Sequence, residues 1–265
     1  MLLAIDVGNS HTVIGVFDGD TLRADWRLAS SANRTADESW LLIRNFCGEY
    51  GIVPTGISGA GISSVVPDLT TVFEEMAVKY LHVNPVIVSS SLPLGMTIRY
   101  HDPRAVGADR ICNAIAGFAR FGGPLIIIDF GTATTYDVVD ANGDYLGGVI
   151  SLGLESSANE LHRRAAKLPR IELAFPPVVV GRDTVTSMQA GVMFGAVDAV
   201  EGTVRRIQKE LDRPARVIAT GGLAPVIARH TTVIEECVPS LVLDGIRMIY
   251  ARTQEAQKKA PRERG

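Results

Sequence analysis

Two short stretches of this chain each gather a carboxylate, a glycine and small polar side chains into a single turn. They read Asp6-Val7-Gly8-Asn9-Ser10-His11-Thr12-Val13 and Asp129-Phe130-Gly131-Thr132-Ala133-Thr134-Thr135. A glycine between two strands lets backbone approach a ligand, and successive turn N–H groups form a concavity suited to anionic oxygens. Ser10, Thr12 and Thr132 add neutral hydroxyl donors. Asp6 and Asp129, each ending an apolar strand, are suited to a hydrated divalent or a monovalent cation beside phosphates. Neither stretch is a Walker loop or a dinucleotide fingerprint, because the glycine spacing and the following helix are both missing.

One Asp-x-Gly alone is ordinary hairpin chemistry. Here it recurs: Leu2 to Phe17 aligns without gaps on Leu125 to Asp140, placing Asp6 on Asp129, Gly8 on Gly131, Asn9 on Thr132 and Thr12 on Thr135. Each copy then reaches a second polar turn, Asp18-Gly19-Asp20 or Asn142-Gly143-Asp144, of the kind that closes a hairpin. The repeat predicts two related lobes whose turns bracket a triphosphate. Further on, Ala219-Thr220-Gly221-Gly222-Leu223-Ala224 ends a strand and opens a helix. Its glycine pair either admits a base or ribose against bare backbone or supplies the positive φ of a helix start.

The elements that must hold these turns are legible in outline. Period-2 and β-branched runs flank the turns, with amphipathic helices between them. Thr35-x-x-Glu38 is a capping box ahead of Trp40, Leu41, Ile43 and Phe46. A second helix starts after Asp102-Pro103 or a few residues later and buries Ile111, Ile115 and Phe118. Thr184 to Leu211 is one long helix or two, since Gly191, Gly195 and Gly202 weaken an unbroken one. A strand at Arg216 to Ala219 and a helix over Leu241 to Arg252 complete the second lobe. The expected division is an N-terminal lobe over 1–119, a C-terminal lobe over 120–252 and a mobile polar tail over 253–265.

Composition narrows the function. With 46% hydrophobic and 21% charged residues, a substantial core forms, and a net charge of −3 argues against a polyanion binder, so no nucleic-acid partner is expected. Cys47, Cys112 and Cys237 are scattered and read as reduced core residues, while His11, His82, His101, His162 and His230 show no metal-ligand spacing. Asp6 interrupts the apolar start Met1-Leu2-Leu3-Ala4-Ile5 before a signal core or span develops, which predicts a cytoplasmic protein with no membrane partner.

Taken in order, the two phosphate turns, Gly107-Ala108-Asp109-Arg110 and the Gly-Gly turn resemble the superfamily of sugar kinases, Hsp70-type chaperones and actin. Within it the chain is similar to type III pantothenate kinases up to about Arg252. It departs from them with Ser10 where Thr is frequent, Leu152-Gly153 where Pro-Gly is common, and Asp183 in place of Asn. The resemblance implies an α/β fold of two duplicated ribonuclease H-like (actin-like ATPase) lobes, mixed sheets flanked by helices. It also implies ATP-dependent phosphorylation of the 4′-hydroxyl of pantothenate to 4′-phosphopantothenate, the first step of coenzyme A biosynthesis.

The same resemblance assigns residues. ATP would lie along Asp6, Val7, Gly8, Asn9, Ser10, His11, Thr12 and Val13, with Thr132, Gly221 and Gly222. Pantothenate would meet Tyr100, Gly107, Ala108, Asp109, Arg110 and Thr184. Asp109 carries over as the base, although by itself it reads as an N-terminal helix charge, a position that would favour its ionised form. Arg110 either binds the pantothenate carboxylate or pairs with Asp109. Asp129 matches the site of a monovalent cation, K⁺ or NH₄⁺, while Mg²⁺ travels with ATP near Asp6. A homodimer is implied, through second-lobe helices such as that beginning near Thr184. The alternatives are a sugar or small-carboxylate kinase, whose acceptor the phosphate turns do not specify, and a non-catalytic nucleotide-binding accessory transcription factor, against which net acidity weighs.

Overall fold

The computed structural model describes residues 1–259 and divides into two compact units. The first comprises Met1–Ala116 with the chain from Ser240 onward, the second Gly117–Pro239. In chain order the first unit holds β1 (Leu2–Val7), β2 (His11–Asp18), β3 (Thr21–Ala29), α1 (Ala36–Glu49), β4 (Gly59–Ser64), α2 (Pro67–Met76) and β5 (Val86–Ile87). The boundary falls within α3 (Ala108–Phe121). Then follow β6 (Leu125–Phe130), β7 (Ala133–Val139), β8 (Tyr145–Leu152), α4 (Leu154–Arg164), α5 (Thr184–Glu210), β9 (Arg216–Thr220), α6 (Ala224–Ala228) and β10 (Glu236–Cys237). The last helix, α7 (Leu241–Lys259), returns to the first unit.

The two sheets repeat one topology. Their orders are β3-β2-β1-β4-β5 and, read in the same sense, β8-β7-β6-β9-β10. In each, three antiparallel strands are extended by two parallel ones. The leading strands β1 and β6 share one burial pattern, four buried residues, a half-buried aspartate and a buried sixth residue. The expected duplicated α/β fold is therefore present, with both hairpin turns.

The second hairpin departs from the ungapped alignment. Asp6 pairs with Val13, but Asp129 pairs with Thr135, so the turn after β6 is one residue shorter than that after β1. Val7 faces Thr12 and Phe130 faces Thr134, which makes Thr134 the counterpart of Thr12 in place of the expected Thr135.

The expected lobe boundaries are corrected by α7. It lies on β1, β2 and β4 and belongs with the first unit. Glycines on the sheet make room for it: a Cβ on Gly61 would stand 2.6 Å from Ile246, and one on Gly15 2.8 Å from Leu243. Gly59 is overlain by Tyr250 in the same way, and on the helix Gly245 abuts the backbone of Cys112 in α3. A bare strand surface of this kind marks close approach of another backbone. The helix also runs past Arg252 through Thr253, which is buried and donates to the carbonyl of Ile249 at 2.8 Å, so the expected mobile tail does not begin at 253. Its remainder, 260–265, lies outside the described residues.

Local signals mostly hold. Glu38 N donates to Thr35 Oγ1 at 3.2 Å and Thr35 N to Glu38 Oε2 at 2.9 Å, closing the capping box of α1. A 3₁₀ turn at Pro103–Ala105 precedes α3, where Ile111 and Ile115 are buried and Phe118 is half-buried. α5 is one helix despite its glycines, each costing about 1 kcal/mol against alanine. Met188, Val192, Val200, Val204 and Ile207 form a buried face whose packing outweighs that cost. Cys47 and Cys112 are buried free thiols, whereas Cys237 is half-buried. Among the described residues no helix is long and apolar enough to cross a membrane.

Candidate active site

In the first unit Asp6 is the half-buried residue near the end of β1, followed by the turn Gly8-Asn9-Ser10. Gly8 N donates to the carbonyl of His11 at 3.0 Å, which closes the turn and leaves Asn9, Ser10 and His11 exposed. Ser30, just past β3, pins it from behind: its Oγ donates to the carbonyl of Gly8 at 2.7 Å, and its N–H to that of Ser10 at 2.9 Å. Thr12 is buried with its hydroxyl 3.0 Å from Ser30 Oγ. It therefore supports the turn from inside, and the expectation that its hydroxyl faces phosphate is corrected. Val7 is fully buried and Val13 half-buried, so their side chains belong to the packing.

Asp109 lies in the first turn of α3 and accepts from the N–H of Arg110 at 2.8 Å. A Cβ on Gly107 would stand 2.5 Å from Asp109 Oδ1, so the glycine keeps that carboxylate where it is. Burial pushes the Asp109 carboxyl above its ordinary value, against the opposing pull of the Arg110 N–H and charge. The helix-start effect is thus outweighed, and the expected bias toward the ionised form is reversed. Arg110 is buried, and Tyr100 is partly exposed in the segment before α3.

One residue absent from the sequence expectations joins these carboxylates. Ser63, fully buried at the end of β4, donates to Asp6 Oδ1 at 2.8 Å. Cys112, one turn along α3 from Asp109, places its side chain beside Ser63. Its thiol is held well above its ordinary value by burial and then by the charges of Asp6 and Asp109. Asp6, Ser63, Cys112 and Asp109 thus form one neighbourhood, with the thiol kept protonated and inert as a nucleophile.

In the second unit the turn Gly131-Thr132 is held by the start of α4. The carbonyl of Thr132 accepts from Gly153 N at 3.1 Å and from Ser156 Oγ at 2.8 Å. A Cβ on Gly153 would meet the Thr132 carbonyl at 2.5 Å. Gly153 thus permits contact between turn and helix, and Thr132 itself stays exposed. Asp129, half-buried, faces Thr220 on the parallel strand β9. Gly221 has φ +90°, and its position over Phe130 excludes a side chain. Gly222 beside it is exposed. Thr184, the first residue of α5, is exposed behind the cap Asp183, which accepts from Thr186 N at 2.9 Å. It lines a groove of about 1330 Å³ between α4 and α5, with Arg164, Arg182 and Met188.

Among the described residues no three His, Cys, Asp or Glu side chains converge on a metal position. Single strand-end carboxylates beside exposed turn amides fit a cation that arrives bound to phosphates, whose oxygens supply the remaining ligands.

The family model of type III pantothenate kinases matches residues 2–206. The type III pantothenate kinase of Geobacillus kaustophilus is 46% identical over 255 residues, covering 96% of this chain and 99% of that protein. That of Anaeromyxobacter sp. strain K is 47% identical over 254 residues, covering 96% and 100%. Among solved structures, the activator of 2-hydroxyisocaproyl-CoA dehydratase from Clostridium difficile, with bound ADPNP, superposes with a TM-score of 0.56 at 14% identity, covering 100% of this chain and 99% of that one. The ethanolamine utilization protein EutJ of Carboxydothermus hydrogenoformans gives 0.56 at 14%, covering 93% and 89%. At that identity the two structures bear on the fold alone.

Proposed function

This chain belongs to the type III pantothenate kinase family, and from that premise we propose that it transfers the γ-phosphoryl group of ATP to pantothenate in coenzyme A biosynthesis, with Asp109 as the base. The observation that carries the residue assignment is the first-unit neighbourhood in which Asp6, held by Ser63 at 2.8 Å, and Asp109, in the first turn of α3, lie near the same buried Cys112. A carboxylate for the nucleotide's metal and a carboxylate for the acceptor belong together in a phosphotransferase.

The turn amides of Asn9, Ser10 and His11 receive phosphate oxygens, Gly8 lets the backbone approach them, and Thr132 adds a hydroxyl from the second turn. Gly221 and Gly222 offer bare backbone to the adenosine. Asp6 would hold a magnesium ion arriving with the nucleotide, which would supply neutralisation of phosphate charge. Asp129 would hold a monovalent cation, K⁺ or NH₄⁺. Tyr100, Gly107, Ala108 and Arg110 line the pantothenate site, and Thr184 contributes from the start of α5.

Asp109 has a modest task. In a loose transition state the hydroxyl proton leaves late, so the carboxylate orients the 4′-hydroxyl and accepts its proton as the new O–P bond forms. A carboxyl held above its ordinary value by burial is a stronger acceptor, which suits it to that step.

We also propose a homodimer formed through the second unit. Ile150 and Leu152 on β8, Val178, Val179 and Val180 before α5, and Val185 at its start expose apolar side chains on this unit. Apolar side chains left exposed together on this unit support an association surface there.

A coupled assay of ADP formation with pantothenate, Mg·ATP and potassium tests the reading. Turnover with pantothenate is expected, and a preference for a hexose in its place would favour the sugar-kinase alternative.

A further inference from the structure

We propose that Ser63 is a positioning residue for phosphoryl transfer, its buried hydroxyl fixing the Asp6 carboxylate, and that Thr220 holds the equivalent place beside Asp129. The inference rests on the role assigned above to Asp6 as the carboxylate facing the nucleotide's metal.

Geometry carries it. β1 and β4 are parallel, with Asp6 directly paired to Ser63, so the two side chains emerge on the same face. Ser63 is fully buried, and its hydroxyl proton goes to Asp6 Oδ1 at 2.8 Å. That bond restrains the carboxylate's rotation about its last torsion. Cys112, on the helix that carries Asp109 and one turn from that residue, lies beside Ser63.

The second unit repeats the placement. Leu2 pairs with Gly59 and Leu125 with Arg216, and four residues later Asp6 pairs with Ser63 and Asp129 with Thr220. The duplication thus extends beyond the hairpins to the neighbouring parallel strand, where each copy places a small hydroxyl residue after three apolar or glycine positions. Both hydroxyl residues are buried. A polar group in such a strand is unfavourable unless it is satisfied, so packing alone does not account for a hydroxyl at this register in both copies.

The experiment measures Mn²⁺·ADP affinity by calorimetry, together with the KM values for Mg·ATP and pantothenate, in wild type, Ser63→Ala and Asp6→Asn. Ser63→Ala is expected to weaken Mn²⁺·ADP binding and raise the Mg·ATP KM by about tenfold, the scale of one hydrogen bond to a charged group. The pantothenate KM should stay unchanged. Ser63→Thr and Ser63→Val, which differ only in hydroxyl against methyl, should separate, with Thr near wild type and Val like Ala. A folded Ser63→Ala with wild-type Mn²⁺·ADP affinity overturns the positioning role, and so does a Ser63→Ala that fails to fold while Val and Thr behave alike. If Asp6→Asn binds Mn²⁺·ADP as wild type does, the assignment of Asp6 is what fails. Loss in Asp6→Asn without loss in Ser63→Ala removes Ser63 alone.

Discussion

In the second unit, Gly221 lies so close to Asp129 that a Cβ on the glycine would stand 2.7 Å from Asp129 Oδ1. The same Cβ would meet Phe130 N at 2.7 Å and Phe130 O at 2.6 Å, backbone atoms that have no room to move within β6. The glycine proposed to receive adenosine and the aspartate proposed to receive a cation are therefore one packed unit. Gly221→Ala combines this clash with a φ of +90° that a side chain resists. A destabilisation of about 2 kcal/mol or more is expected. Denaturant unfolding measures it, and nucleotide affinity should fall with it because Asp129 is pushed aside.

The cation assignment makes a separate prediction. Exchanging sodium for potassium or ammonium should raise turnover severalfold in the wild type. Asp129→Asn should lose that discrimination while remaining folded, because Asp129 is half-buried and not part of the strand core. Steady-state rates across the three chloride salts decide it. Equal rates in sodium and potassium for the wild type would remove the monovalent ion from the reaction.

The proposed dimer face is tested at β8. Ile150 and Leu152 are 61% and 60% exposed, so charging them costs the isolated chain little. Burying each in an interface would contribute about 1.5 to 3 kcal/mol, so two aspartates there should shift a dimer to monomer. Sedimentation of the wild type and of the Ile150→Asp, Leu152→Asp double variant reads the change directly.

The sequence made the repeat legible because its signal is local: Asp6-x-Gly8 and Asp129-x-Gly131 end runs of apolar residues. What it missed depends on neighbours in space. Ser63 comes 57 residues after Asp6, and only the β1–β4 register brings them together. Extending the repeat from Asp129 to Thr220 would have pointed to it. Thr12 was misjudged because an exposed turn and a buried hydroxyl behind it look alike in one dimension. Its match to Thr135 failed because an ungapped alignment does not register a turn one residue shorter. The return of α7 to the first sheet had a signal in the glycines at 15, 59 and 61, but glycines in strands do not name the element that covers them.

The raised Asp109 carboxyl leads to a paired prediction on rate and stability. Substitution by asparagine keeps the shape and removes proton acceptance, so kcat should fall by about 10² to 10⁴. Nucleotide affinity should persist, because the phosphate turns are untouched. Since burial holds the folded-state carboxyl above its ordinary 3.8, ionising it on the folded protein costs free energy. The stability contributed by Asp109 is complete below 3.8, where the group is neutral in both states, and is lost as pH rises through its folded value. Near neutral pH Asp109→Asn should therefore be at least as stable as the wild type, and that advantage should vanish toward acid. The same carboxyl must lose its proton to act as a base, so the acid limb of kcat/KM for pantothenate should lie above the ordinary aspartate range. Thermal unfolding against pH and the pH–rate profile test the two halves separately. An Asp109→Asn variant that is inactive and less stable at neutral pH would indicate a structural charge in place of a base held ready by burial.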